Sequence, residues 1–206
     1  MRILYIDTSS SYLYSAIVED DKLIASVSKE YGQSLSEIAL PKIVEMFETT
    51  NLSPKDVDKI IVVNGPGSFT GIRIGITIAK VYAWSLNTPI TTITSLDAMN
   101  NSVHDDKIHI PMLNARRGYV YTAIYDQDKI IHKPEHIKYE EISKEIDTLS
   151  NYEIISNDEF DWDLEKTAYV PDFVSIVNKF KDKEEINPHA VNPEYLKLTE
   201  AEEKLW

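Results

Sequence analysis

The chain has 206 residues, 43% of them hydrophobic and 27% charged, enough to bury a core as one domain or two small lobes. Its 21 Lys and Arg stand against 34 Asp and Glu, a formal charge of −13, so the chain alone repels a phosphate backbone and is not built to bind nucleic acid strongly. It contains no cysteine, which excludes a disulfide framework, a thiolate zinc site and a cysteine nucleophile.

The first apolar run, Ile3-Leu4-Tyr5-Ile6, reads as a buried strand ending in the polar turn Asp7-Thr8-Ser9-Ser10. Asp7 makes the run too short for a signal peptide's core, and no stretch approaches the roughly 18 apolar residues that cross a bilayer. No membrane segment and a cytoplasmic location are therefore expected. Tyr14–Val18 and Leu23–Val27 read as the next strands, joined by the acidic turn Glu19-Asp20-Asp21. In Ser36–Thr50, apolar residues at 39, 40, 43, 44, 46 and 47 follow a helical period. Ser36 is the expected N-cap, and Pro41 predicts a bend or a later start.

Ile60–Val63 is a further buried strand, followed by the turn Gly65-Pro66-Gly67-Ser68, a long helix over Phe69–Leu86 and a strand over Pro89–Ile93. Three hairpin strands followed by alternating helices and strands imply a mixed sheet covered by helices. Beyond a boundary near Ser95–Val103 the pattern is less regular. Strands are expected at His109–Leu113, Tyr119–Tyr125 and Lys129–Ile131, helices at Tyr139–Leu149 and Pro171–Phe180, and a tail with a short helix over Pro188–Trp206. No internal repeat is visible. This divides the chain into an N-terminal lobe, 1–97, and a smaller acidic lobe, 98–206. The charge supports the asymmetry: residues 1–125 hold 11 basic and 13 acidic groups, and residues 126–206 hold 10 and 21. The acidic runs Asp158–Glu165 and Asp182–Glu185 read as solvated surface.

Four of the six glycines fall within one segment: Gly65, Gly67, Gly71 and Gly75. A strand, a glycine turn and a helix N-terminus can bind an anion through backbone N–H groups, which makes Asp7, Gly65, Gly67 and Ser68 weak anion or nucleotide candidates. The spacing, however, fits neither the P-loop nor the dinucleotide fingerprint, which would need a glycine where Thr70 stands. The plainer reading is that the glycines permit a tight turn and close helix–sheet packing, with Ser68 as the helix cap.

Projected at 100° per residue, Phe69–Leu86 has two apolar faces. One carries Ile72, Gly75, Ile76, Ala79, Ala83 and Leu86; the other carries Ile74, Thr77, Ile78, Val81 and Trp84; Arg73 and Lys80 form a polar sliver between them. A helix apolar on both sides is covered on both sides. The cover is either the neighbouring helix or second lobe, or a second subunit. For the second reading the candidate residues are Leu40, Ile43, Val44, Phe47, Ile74, Thr77, Ile78 and Val81.

Other chemistry is poorly supported. His132 and His136 have metal-ligand spacing, but Pro134 removes the helical geometry that would converge them, so no metal site is expected. No Gly-x-Ser-x-Gly elbow accompanies a serine nucleophile. Arg116-Arg117-Gly118 is a basic spot, read as a turn with salt bridges rather than as a contact for RNA or a partner.

Several segments in order resemble the TsaB family, also called YeaZ: Ile6-Asp7-Thr8-Ser9, Ser36-Glu37 with Leu40-Pro41, Gly65–Gly75, Ser95-Leu96-Asp97-Ala98, Asn114-Ala115-Arg116-Arg117-Gly118 with Val120-Tyr121, and Pro193-Glu194-Tyr195-Leu196. The glycine segment is the most specific, and residues 126–186 contribute little. The resemblance implies a two-lobed α/β fold of the actin-like ATPase (ribonuclease-H-like) type with mixed sheets flanked by helices. It also implies a role in forming N6-threonylcarbamoyladenosine at position 37 of tRNAs reading codons that start with A. In that family this subunit is a non-catalytic scaffold. It pairs through the N-terminal lobe's helices with a TsaD-like catalytic paralogue, a TsaE-like ATPase joins them, and tRNA is met only through the complex. Alone, the same surface could close into a homodimer. Leu35 stands where the family usually has His, and Asn114 and Tyr119 where it usually has Asp and Glu; a scaffold tolerates such losses better than a catalyst. No cofactor and no catalytic residue are expected. The competing reading is an actin-like-fold ATPase or phosphotransferase acting on its own, with Asp7 beside the phosphates.

Overall fold

The computed structural model describes residues 1–197. Among the described residues, nine strands form two sheets. The first contains β1 (Arg2–Asp7), β2 (Tyr12–Glu19), β3 (Lys22–Glu30), β4 (Lys59–Val63) and β5 (Ile90–Ile93), in the order β3-β2-β1-β4-β5. The second contains β6 (Ile108–Arg116), β7 (Tyr119–Asp126), β8 (Lys129–Lys138) and β9 (Tyr152–Ile155), in the order β8-β7-β6-β9. β1, β2 and β3 pair antiparallel, and β4 joins β1 in parallel. Likewise β6, β7 and β8 pair antiparallel, and β9 joins β6 in parallel. A helix precedes each parallel strand: α1 (Leu35–Thr50) lies between β3 and β4, and α4 (Tyr139–Ile146) between β8 and β9. The two halves thus share one ββ β α β plan, a repeat invisible in the sequence. This is the arrangement of mixed sheets flanked by helices that the resemblance implied.

Residues 3–6 of β1 form an unbroken apolar run because both faces of the strand are covered. Ile3 and Tyr5 face a core shared with α3 (Ser95–Asn100), α5 (Phe173–Phe180) and the second sheet. Leu4 and Ile6 face the core under α1 and α2 (Phe69–Leu86). The long second helix has the predicted bounds, and Ser68 Oγ caps it by accepting from Gly71 N at 3.2 Å.

Four local expectations need correction. Helix α1 begins at Leu35, after a 3-10 turn over Gly32–Ser34, so Ser36 lies inside it and is not its cap. The helix continues through Pro41, whose missing N–H is outweighed by the burial of Ala39, Ile43, Met46 and Phe47 on the inner face. Strand β8 runs past Ile131 to Lys138; it is an edge strand, and the register shifts opposite Ala123, where Pro134 is tolerated. The four-residue strand β9 was not anticipated, being too short to show a period. The tail carries a 3-10 turn at Pro188–Ala190, and residues 198–206, part of the expected helical tail, lie outside the described residues.

Residues 98–206 do not all sit with the second sheet. α5 packs on β1, β2 and β3. From its end, residues 181–195 run as a strap across the first sheet and α2. Buried Lys59 donates from Nζ to Lys181 O (2.8 Å) and Lys183 O (2.6 Å), and Lys80 Nζ donates to His189 O (3.2 Å) and Val191 O (2.9 Å). Ile186 N bonds Ile90 O at 2.8 Å, and Glu194 N bonds Asn64 O at 2.7 Å.

Candidate functional site

The glycine turn is packed from within. A Cβ on Gly65 would lie 2.2 Å from Glu194 O, on Gly67 2.2 Å from Ser9 O, on Gly71 2.1 Å from Thr8 O, and on Gly75 2.4 Å from Thr8 Oγ1. Gly65 and Gly67 also have φ of +126° and +147°, open in practice only to glycine. Several of the nearby donors are committed to the fold. Ser68 N donates to Ser9 O at 2.6 Å, Gly75 N to Thr8 Oγ1 at 2.9 Å, and Thr8 Oγ1 to Gly71 O at 2.7 Å. The turn therefore brings the β1–β2 loop, α2 and the strap together, and these N–H groups are not left for a phosphate.

Asp7 is buried at the end of β1. Its Oδ1 accepts from Ser9 N at 2.8 Å, and Tyr5 OH lies 3.4 Å from Oδ2. Burial pushes its carboxyl above the usual Asp range, against the lowering effect of the Ser9 hydrogen bond. A cleft of about 480 Å³ between the lobes is lined by Ser9, Ser10, Gly67, Ser68, Asn114 and Asp158, among others, but not by Asp7. Asp158 Oδ2 accepts from Asn114 N at 2.7 Å, and burial raises this carboxyl too. Of the nucleotide candidates, Gly67 and Ser68 reach this cleft, while Asp7 and Gly65 serve the packing behind it.

The outer face of α1 and α2 is different in kind. Leu40 is 53% exposed, Val44 45%, Val81 59% and Trp84 67%, while Ile43 and Phe47 retain only 2% and 4%. Thr77 is exposed, and Ile74 and Ile78 are half-buried against Leu13, Leu35 and Ala39. The candidate interface set is therefore corrected at Ile43 and Phe47. They point inward to Leu4, Ile17 and Val57, and cannot reach a partner without unpacking the core. Of the two covers weighed for α2's second face, the neighbouring helix is partly in place: α1 shelters Ile74 and Ile78, while Thr77, Val81 and Trp84 are exposed. Phe69, 56% exposed, extends the same face at the helix start and was missed by the sequence reading. The same helical projection could have found it, since residues 69, 73, 77, 81 and 84 share one side.

The remaining chemistry-bearing residues are structural. His132 Nδ1 lies 2.9 Å from Glu145 Oε2 and its Nε2 3.1 Å from Glu135 Oε2, while His136 stacks on Tyr119 at 4.7 Å. His109 is buried between Asn100 Oδ1 (2.9 Å) and Asp105 Oδ1 (3.0 Å). Arg116 and Arg117 have φ of +66° and +53° in the β6–β7 turn, where Asn114 Oδ1 accepts from Arg116 N at 2.8 Å. The turn is as expected; the side chains of both arginines are exposed, and neither forms an ion pair among the described residues. Asp97, from the Ser-Leu-Asp-Ala segment, closes a capping box with Thr94 at the start of α3 and accepts from Tyr125 OH at 3.1 Å. No described helix is long and apolar enough to cross a membrane.

Comparison with known proteins places this geometry. The family model described as TsaD, tRNA N6-adenosine threonylcarbamoyltransferase, matches residues 27–204. A Bacillus subtilis (strain 168) protein named tRNA threonylcarbamoyladenosine biosynthesis protein TsaB is 41% identical over 126 residues, 61% of this chain and 55% of the relative. The Escherichia coli (strain K12) protein of the same name is 31% identical over 135 residues, 63% of this chain and 57% of the relative. The chain thus spans a little over half the length of these curated relatives. YeaZ from Pseudomonas aeruginosa superposes with a TM-score of 0.77 at 15% identity, covering 94% of this chain and 100% of that one. A protein described as similar to peptidase YEAZ from Pseudomonas aeruginosa gives 0.80 at 16%, covering 95% and 99%. At these identities the two structures establish the fold alone. With the family model matching most of the chain and the curated relatives aligned to it, the chain belongs to the TsaB (YeaZ) family.

Proposed function

We propose that this protein is an accessory, non-catalytic subunit of the machinery that forms N6-threonylcarbamoyladenosine at position 37 of tRNAs reading codons that start with A. It would hold and order a TsaD-like catalytic paralogue against the outer face of α1 and α2. A TsaE-like ATPase would join the pair, tRNA would be met only through the assembled complex, and the location would be cytoplasmic. In the absence of the paralogue the same face could join two copies.

The observation that carries this reading is the uncovered apolar face of Leu40, Val44, Val81 and Trp84. Such a face on a −13 chain is costly to leave in water and suits a protein partner. The same reading accounts for the glycine turn, whose glycine space and whose Ser68, Gly71 and Gly75 N–H groups serve internal packing.

The test uses the purified chain, alone and with a TsaD-like paralogue, in size exclusion and in a tRNA modification assay. Co-elution with activity only in the mixture is the expected result. Trp84→Asp and Val81→Asp should abolish both while leaving the circular dichroism of the lone chain unchanged. ATP hydrolysis or phosphotransfer by the lone chain would instead overturn the accessory role.

A further inference from the structure

Arg73 lies on the outer stripe of α2, one turn before Thr77 and two before Val81. Its guanidinium sits 4.0 Å over the Phe69 ring, and Nε donates to Tyr195 OH at 2.8 Å. Phe69 and Tyr195 stack with ring centroids 5.0 Å apart. Tyr195 comes from the Pro193-Glu194-Tyr195-Leu196 segment of the strap. The preceding residue, Glu194, is fixed by its bond to Asn64 and by contact with Gly65. The guanidinium is thus held from two sides, while its terminal Nη1 and Nη2 groups bond no described residue and Arg73 forms no ion pair among the described residues. Helix α2 itself contains no Asp or Glu.

We infer that Arg73 is the polar anchor of the docking face, positioned by Tyr195 to take a carboxylate of the partner protein in a two-pronged hydrogen-bonded pair. The inference rests on the docking role proposed above. A planar guanidinium matches a carboxylate bidentately. Held against two aromatic rings, it loses little side-chain freedom on binding, which removes one cost of association. It also lies in line with Val81 and Trp84, so one partner surface covers apolar anchors and cation together, the composition typical of interface hot spots. The strap then has a role beyond packing: Tyr195 is a positioning residue that sets the direction of Arg73.

The experiment is titration calorimetry of the full chain against the TsaD-like paralogue at low and high salt, with thermal unfolding of each variant alone. Arg73→Gln should weaken binding by about tenfold or more and flatten its salt dependence, with little change in the unfolding temperature. Tyr195→Phe, which keeps the stack and loses the Nε bond, should weaken binding by less and leave the salt dependence in place. Alanine substitution of one Asp or Glu on the paralogue should reproduce the Arg73→Gln loss, with no further loss in the double variant.

Three results would overturn the inference. In the first, Arg73→Gln binds within twofold of wild type while Trp84→Asp does not bind; the docking face then stands without its anchor. In the second, replacing Glu200, Glu202 and Glu203 together by Gln cancels the effect of Arg73→Gln, which makes the carboxylate this chain's own. In the third, Arg73→Gln shifts only self-association, which gives the face to a second copy. Failure of the wild-type chain to bind the paralogue at all would remove the docking role and the anchor together.

Discussion

On its inner side α2 carries Gly71, Ile72, Gly75, Ile76, Ala79 and Ala83, all buried; on its outer side it carries Arg73, Thr77, Val81 and Trp84, all exposed. Both sides carry apolar residues, so the presence of hydrophobic side chains alone does not tell them apart. Size does. The inner side is small where Thr8 comes close, with its backbone oxygen at Gly71 and its hydroxyl at Gly75, whereas the outer side ends in the 67% exposed indole of Trp84, edge-on to His189. Helix α1 is also two-sided, with Ile43 and Phe47 inside and Leu40 and Val44 outside, but there size does not separate the faces and only burial does. A face that matches its neighbour to within a methyl group already has its partner; a face of large, loosely covered side chains lacks one.

The sharpest way to break this comparison is to cut both sides of α1 alike. Phe47→Ala should cost about 3–5 kcal/mol of unfolding free energy and Ile43→Ala about 2–5, measured by denaturant titration. Leu40→Ala and Val44→Ala should each stay within about 0.5 kcal/mol while weakening partner binding. If all four destabilised the lone chain equally, the inner and outer assignment would be wrong.

A second test reverses a familiar sign. Gly→Ala inside an exposed helix normally stabilises by about 1 kcal/mol. At Gly71 the new Cβ would lie 2.1 Å from a backbone oxygen, so Gly71→Ala should destabilise by about 1–3 kcal/mol. A gain in melting temperature would show that the β1–β2 loop can retreat from the helix.

The smallest effect concerns Asp7. Its folded-state carboxyl is raised by burial, so the native state holds its proton more tightly than the unfolded chain does. Stability must then fall as pH rises from the ordinary Asp range through the raised folded value, and Asp7 is a liability at neutral pH. Asp7→Asn keeps an acceptor for Ser9 N and should raise the melting temperature at pH 7, with the gain shrinking toward pH 4. A pH-independent gain, or a loss at pH 7, would contradict the raised carboxyl.

The first half of the molecule was legible because its signals are local. Continuous apolar runs marked β1 and β4, and the helical period with Ser68 ahead of it set both ends of α2. The glycine segment announced close packing and was read that way. What failed locally failed for stated reasons: Pro41 was overruled by the buried stripe of α1, the strand end placed at Ile131 by the edge position of β8, which admits Pro134, and β9 was too short to carry a period. At the candidate site the sequence named the two outer stripes but could not tell Ile43 and Phe47 from Leu40 and Val44. All four fit one helical period, and only the neighbours differ.

By itself, then, the sequence determined the order of most elements, the two-sided character of α2 and the glycine turn, since each depends on spacing along the chain. Only the tertiary structure decided which α1 residues face the core, that the second sheet repeats the plan of the first, and that the strap returns over 120 residues after Lys59 to take its ammonium group and to lock Arg73. Those are contacts between distant segments. Their energy comes from desolvated carbonyls, stacked rings and buried methyl groups that meet only once the chain has folded.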